Sequence, residues 1–427
     1  MAGAYKPGPP SGRTARRGHP LAALGYRNYR LFFLGQLVSL IGTWMQTVGQ
    51  QWLVIDRLTP SPFLLGLVAA AQFLPVLVLS LAAGAMADWV PKRRLVIVTQ
   101  STLMVLALIL ALLTWTGAVR YWHILVLSLL LGTANAFDMP ARQAFMVEMV
   151  GRDDLMNAIA LNSAVFNGAR VVGPWVAGKA IAQFGIAAAF FFNGISFLAV
   201  IAALMAMNVE DKAHPRVALR GISTDIREGL AYIRRTPLML ALNMLMALIS
   251  TFTLNFNVLT PILAKQVLHQ DAEGFSLLMS AMGLGALLGA VTLAFLSRLG
   301  PRLGLVFFGA ALVSLAELAL IAARTAGLAQ AILFVAGWAM IIFAATTNTL
   351  LQTTVPDNLR GRVMSVYSLV FGGVTPIGAL ITGAVLNIGG PAAGFIEGGA
   401  MGLLSVVLVL VWWQKNRQSA EGPQAAT

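Results

Sequence analysis

The chain has 427 residues, of which 58% are hydrophobic and 11% charged, whereas soluble domains carry about 25% charged residues. A surface so poor in charge cannot face water, so the sequence specifies an integral membrane protein. The formal net charge of +13 does not mark a nucleic-acid binder, because the basic residues are spread over short connections between apolar runs and form no basic domain.

Cys is absent, which excludes disulfides and thiolate metal sites, and His19, His123, His214 and His269 have no ligand spacing. No metal and no cofactor is therefore expected. No catalytic residues are expected either, since no nucleophile–base cluster occurs, and the chain reads as a non-enzyme. No Asn-x-Ser/Thr sequon occurs, which favours a bacterial origin.

In chain order, residues 1–30 are rich in Pro, Gly and Arg and lack the apolar core of a signal peptide, so they read as a disordered cytosolic tail. A membrane span needs roughly 20 apolar residues. Uncharged runs of sufficient length occupy 31–55, 58–87, 95–119, 180–209, 238–264, 274–297 and 325–356. Three further spans are interrupted by one charge each: about 121–141 by Asp138, 155–178 by Arg170, and 303–323 by Glu317. The run 363–396 is too long for one span and breaks at Gly389-Gly390-Pro391, after which a last span carries Glu397 to about Gln414. The prediction is an all-α protein of twelve transmembrane helices.

Within the first span, Gln36, Thr43, Gln46, Thr47 and Gln50 share one helix face. Lipid does not reward a face of amides, so it lines a cavity or makes interhelical hydrogen bonds, worth about 0.6 kcal/mol each. The second span ends in Gly84 and Asp88 and is followed by Lys92, Arg93 and Arg94. The glycine allows close helix approach, the acid suits a neighbouring helix end, and the basic cluster holds the turn in the cytoplasm.

In the fourth span Asp138 and Arg142 are four apart and can pair, either as a local salt bridge or with Asp138 as a titrating group. Arg170 lies about 20 Å into the fifth span by helix rise. A charge there faces protein or a wet cavity, so it ties helices together through Asn135 or meets an anionic substrate. Glu317 is a proton-site candidate as an intramembrane acid. The string Gly173-x-x-x-x-Gly178-Lys179 mimics a phosphate loop, but Ala180 follows and no strand precedes it.

The connections settle orientation. The tails and even-numbered connections hold 23 Lys and Arg and the odd-numbered ones 5, which places both termini in the cytoplasm. The longest polar stretch, 209–237, divides the spans into halves 31–208 and 238–414, with a second cytosolic tail at 415–427. The halves repeat: residues 145–178 align with 350–383 at an offset of 205, so that Gly173 meets Gly378 and Gly178 meets Gly383. Two pseudo-symmetric six-helix halves about a midplane cavity suit a rocker-type transporter.

On these residues the chain resembles the major facilitator superfamily of transporters. Gly84-x-x-x-Asp88-x-x-x-Lys92-Arg93-Arg94 resembles its loop motif, and Gly168-x-x-x-x-Gly173-Pro174-x-x-x-Gly178 resembles the glycine–proline motif of its exporters. The stretches 24–46, 138–145 and 157–174 look like the branch that holds the enterobactin exporter and macrolide efflux proteins. The resemblance implies proton-driven export of a small, largely apolar drug or siderophore by a monomer in the bacterial inner membrane. It also implies a cavity drawing on Gln36, Thr43, Gln46, Gln50, Asn135, Asn162, Asn167, Arg170, Asn255 and Asn348. Uptake and a non-transporting scaffold are the alternatives.

Overall fold

The structure is a computed structural model that describes residues 21–151, 153–208, 222–296 and 300–420. Of the predicted tails at 1–30 and 415–427, residues 1–20 and 421–427 lie outside the described residues, as do 209–221 of the central loop, whereas 27–30 begin the first helix and 415–420 end the last. The side chain of Asp88 also lies outside them.

The described residues form helices joined by short turns, with no strand among them. α1 (Arg27–Leu53), α2 (Pro62–Trp89), α3 (Lys92–Trp115), α4 (Tyr121–Val150), α5 (Leu155–Phe184) and α6 (Ile186–Met205) are followed by the short α7 (Ile222–Arg235). Then come α8 (Pro237–Phe252), α9 (Phe256–Ile262), α10 (Ala272–Leu296), α11 (Leu303–Ala319), α12 (Ala326–Thr354) and α13 (Asp357–Ala420). Among the described residues, ten helical segments are long and apolar enough to cross a membrane. The surface agrees: Val78, Leu112, Phe295 and Val411 stand exposed where a soluble protein would place charges.

Local chemistry sets the ends. Ser61 accepts from the Leu64 amide as Pro62 opens α2, pairing a polar cap with a ring already fixed in helical φ. Gly390 divides α13 into two arms at φ 74°, a conformation that glycine adopts without strain. The polar stretch read as a loop contains α7, because Leu230 and Ile233 fall on one helical face while Arg227, Glu228, Arg234 and Arg235 stand exposed. α7 packs on α13, where Arg362 bonds Glu228.

Packing repeats along the chain at the offset of the sequence repeat. Gly132 of α4 sits against the Gln72 carbonyl of α2, and Gly337 of α12 sits against the Met282 carbonyl of α10. Gly173 of α5 meets Ile41 and Trp44 of α1, as Gly378 of α13 meets Thr251 and Asn255 of the α8 end. Gly178 faces Ser276 and Glu273 of α10, as Gly383 faces Pro62 and Phe63 of α2. At each of these places a Cβ would press on backbone or a short side chain, so glycine sets the interaxial distance.

Candidate substrate chamber

The contacts that join helices α1–α6 to α8–α13 cluster on the face away from residue 21. There Gly66 of α2 meets Ala379 and Gly383 of α13, and Lys179 of α5 pairs with Glu273 of α10 at 2.6 Å. α1 and α9 each end in a π-helical turn, Val54–Leu58 and Leu263–Val267, and these two turns are tied by the Asp56–Lys265 ion pair. Lys265 also lies 5.5 Å from the Trp52 ring centre, and Trp52 stacks on Phe275 at 5.6 Å. These contacts form a seal.

Beneath the seal lies a cavity of about 210 Å³ lined by α1, α2, α4 and α6, with Leu103 of α3 and Asn257 of α9. Thr43, Trp44, Gln46, Thr47, Gln50 and Gln51 supply the α1 wall, Gln72 and Phe73 the α2 wall, and Asn135 and Asn193 face them from α4 and α6. Gln46 accepts from Asn193 at 2.6 Å, and Gln50 donates to Ser128 at 2.8 Å. The amide face therefore lines the chamber and ties helices at once. The Gln51 Oε1 atom is buried with no hydrogen-bond partner. Arg170 stacks over Trp44, its guanidinium 5.6 Å from the ring centre, and does not use the expected Asn135 link.

Several expected residues fall elsewhere. Gln36 is buried and accepts from Arg142 at 2.9 Å, below the chamber and outside its lining. Asn255 turns back on the Thr251 carbonyl at 2.7 Å and leaves the lining to Asn257. Asn167 bonds the Ser163 carbonyl along its own helix, and Asn348 accepts from Gln352 and also bonds Tyr367 of α13. Asn162 is half-buried and likewise outside the lining.

Asp138 is fully buried among partners: Thr99 and Gln100 donate to it at 2.7 and 2.9 Å, and Arg142 lies 2.6 Å away. In the basic turn, Lys92 pairs with Glu148 at 2.7 Å, and Arg93 donates to the Leu204 and Met205 carbonyls at the end of α6. Those carbonyls are the unpaired acceptors of a helix terminus, so the cation is well placed. Two glycines depart from the packing expectation: a Cβ at Gly84 or Gly168 meets nothing within 4 Å. Pro174 is buried beside Gly173.

An apolar helical bundle with a repeated packing pattern and a polar chamber defines a membrane transporter of the major facilitator type. Residues 18–425 match the family described as transmembrane secretion effector, and the chain belongs to that family of major facilitator transporters. Among its relatives, the Staphyloferrin A transporter of Staphylococcus aureus is 23% identical, over 91% of this chain and 96% of that one. The multidrug efflux pump Tap of Mycolicibacterium fortuitum is 29% identical, over 89% and 95%. The enterobactin exporter EntS of Salmonella choleraesuis, from the branch the sequence resembles, is 25% identical over 91% and 93%. A bacterial homolog of the human lysosomal transporter Spinster, solved inward-facing and unoccupied, shares the fold with a TM-score of 0.69 over 94% of this chain and 99% of that one, at 14% identity.

Proposed function

We propose that this protein is a secondary active exporter of a small, largely apolar molecule of the drug or siderophore class, driven by protons through alternating access. The observation that carries the reading is the chamber, where amide and aromatic walls converge at mid-depth beneath a seal on one face. The relatives named as efflux pumps and exporters support the direction.

Counting α5, and dividing α13 at Gly390, brings the spans to twelve, in halves 31–208 and 238–414. The Lys and Arg bias puts both termini in the cytoplasm of a bacterial inner-membrane protein, which makes the sealed face external and this conformation inward-open. The halves rock about the chamber as a monomer, with Arg170 over Trp44 at its rim and Asp88 as a latch of the outward-open state. Each proton moving inward supplies about 2.3 kcal/mol per 100 mV.

The test is transport by inverted vesicles across a panel of drugs and siderophores, with and without an uncoupler. Accumulation of at least one compound that the uncoupler abolishes is expected. Transport that appears only in right-side-out vesicles, or that ignores the uncoupler, overturns the reading.

A further inference from the structure

Glu317 of α11 is completely buried, and both of its carboxylate oxygens lack a hydrogen-bond partner. Its head is seated on α13 at Gly398, where a Cβ would overlap the carboxylate. The residue before that seat is Glu397, whose Oε2 accepts from Thr382 at 3.3 Å and whose Oε1 is also buried without a partner. The two acids thus occupy neighbouring places at α13, Glu317 fully buried and Glu397 half-buried, seven residues or about 10 Å of helix beyond the bend at Gly390.

No cation faces them among the described residues. α12, α8 and α9 contain no Asp, Glu, Lys, Arg or His; Arg324 lies exposed past the end of α11, and Lys265 is engaged with Asp56. Two unpaired carboxylates in such a place repel each other and lose their hydration, so they need a positive charge between them. Space decides which one. Gly398, Gly399 and Gly402 are packed directly on Glu317, Leu318 and Ser314, which leaves no shell for a coordinated metal ion. A proton needs no room.

A hydrogen bond beside the pair leads toward the chamber. Thr253 donates to the Gly398 carbonyl at 3.0 Å. Thr253 lies in the break between α8 and α9, and α9 carries the chamber residue Asn257. We propose that Glu317 and Glu397 form a proton-carrying site set apart from the substrate chamber, and that Thr253 transmits its occupancy to the chamber through the α8–α9 break. This assigns the coupling site of the proton-driven reading above and rests on it. Asp138, the other acid considered, has a cation beside it: Arg142 lies 2.6 Å from Oδ2, while Thr99 and Gln100 donate to Oδ1.

The tests need no substrate, so they succeed or fail apart from the vesicle assay. pH-difference infrared spectra of the purified full-length protein should show a protonated carboxyl band that is lost in Glu317→Gln or Glu397→Gln. An unchanged band in both variants removes the proton site. The chain has no Cys, so Asn257→Cys in the reconstituted protein reports the chamber through its maleimide labelling rate. Because maleimide attacks the thiolate, that rate is divided by the rate of a free thiol at the same pH; the ratio should change by about fivefold or more between about pH 6 and pH 8, as for an ordinary coupling free energy. It should become independent of pH in Glu317→Gln, and in Thr253→Val while the carboxyl band remains. Equal pH dependence in the parent and all variants overturns the transmission. A rate that follows sodium concentration at fixed pH overturns the proton in favour of a metal ion.

Discussion

Gln46 and Gln51 stand five residues apart on α1 and both line the chamber, but they differ in what they leave free. Gln46 is committed to Asn193, so Gln46→Leu strands a buried donor at about 1–3 kcal/mol and should lower thermal stability as well as transport. Gln51 holds an unpartnered oxygen, so Gln51→Leu should weaken substrate binding roughly two- to tenfold at unchanged melting temperature. Ligand titration beside a thermal melt separates the two; a stability loss in Gln51→Leu as large as in Gln46→Leu would show that Gln51 is a structural tie. Asp138→Asn should cost stability, because it removes the charge beside Arg142 and turns an amide NH2 toward that guanidinium, although Oδ1 can still accept from Thr99 and Gln100, yet keep uncoupler-sensitive transport; loss of that sensitivity in a folded variant would return Asp138 to the coupling role. The amide face of α1 was legible because amides at helical spacing in an uncharged run have no use in lipid. Gln72, the one polar residue of 62–79, carried the same signal in weaker form. Asn193 did not, since a single amide on α6 reads equally as packing, and only the partner Gln46 reveals which side it faces.

Among the helices, α5 shows how much rests on single glycines. Gly173 lies so close to Trp44 and Ile41 of α1 that a larger side chain must displace backbone, whereas Gly168, one and a half turns earlier, faces open space. Gly173→Leu should insert normally but lose transport and about 1–3 kcal/mol of stability to overpacking, while Gly168→Leu should be tolerated. Equal behaviour of the two, measured by membrane-inserted amount, melting and transport, would remove the packing argument. The spans themselves could be read from apolar length, since bilayer thickness and helix rise fix that length whatever the neighbours are. The break between α8 and α9 could not. Thr253-Leu254-Asn255 contains neither Gly nor Pro, and what opens the helix there is tertiary, with Thr253 bonding α13 and Asn255 turning back on Thr251. The π-helical turns of Asp56 and Lys265 were hidden for the same reason, because each is ended by a contact with the other half of the chain.

For the whole molecule, two seals at opposite faces must compete if the chamber is to open alternately. The visible one combines unequal parts. Asp56–Lys265 and Lys179–Glu273 are partly exposed pairs, so each is worth about 0.2–1 kcal/mol and shifts the balance of states by less than about fivefold. Gly66 against Ala379 and Gly383 is a backbone-level approach, and prying it apart costs about 1–3 kcal/mol. Gly66→Leu should therefore open the external face more than Asp56→Asn does. Asp88→Asn should act in the opposite sense: it is proposed to hold the other seal against the start of α13 at Asp357. The latch would act through the helix end and its dipole, by about 0.3–1 kcal/mol when exposed. Gln51→Cys as a reporter decides between these states with a membrane-impermeant reagent. External labelling should rise in Asp56→Asn and further in Gly66→Leu, should fall in Asp88→Asn, and should return toward the parent rate when Asp56→Asn and Asp88→Asn are combined, since small free energies at distant sites add. If external labelling in Gly66→Leu matches the parent, the α2–α13 approach is not the seal; if Asp88→Asn leaves labelling from both faces unchanged, the acid is a surface charge and the opposing seal lies elsewhere.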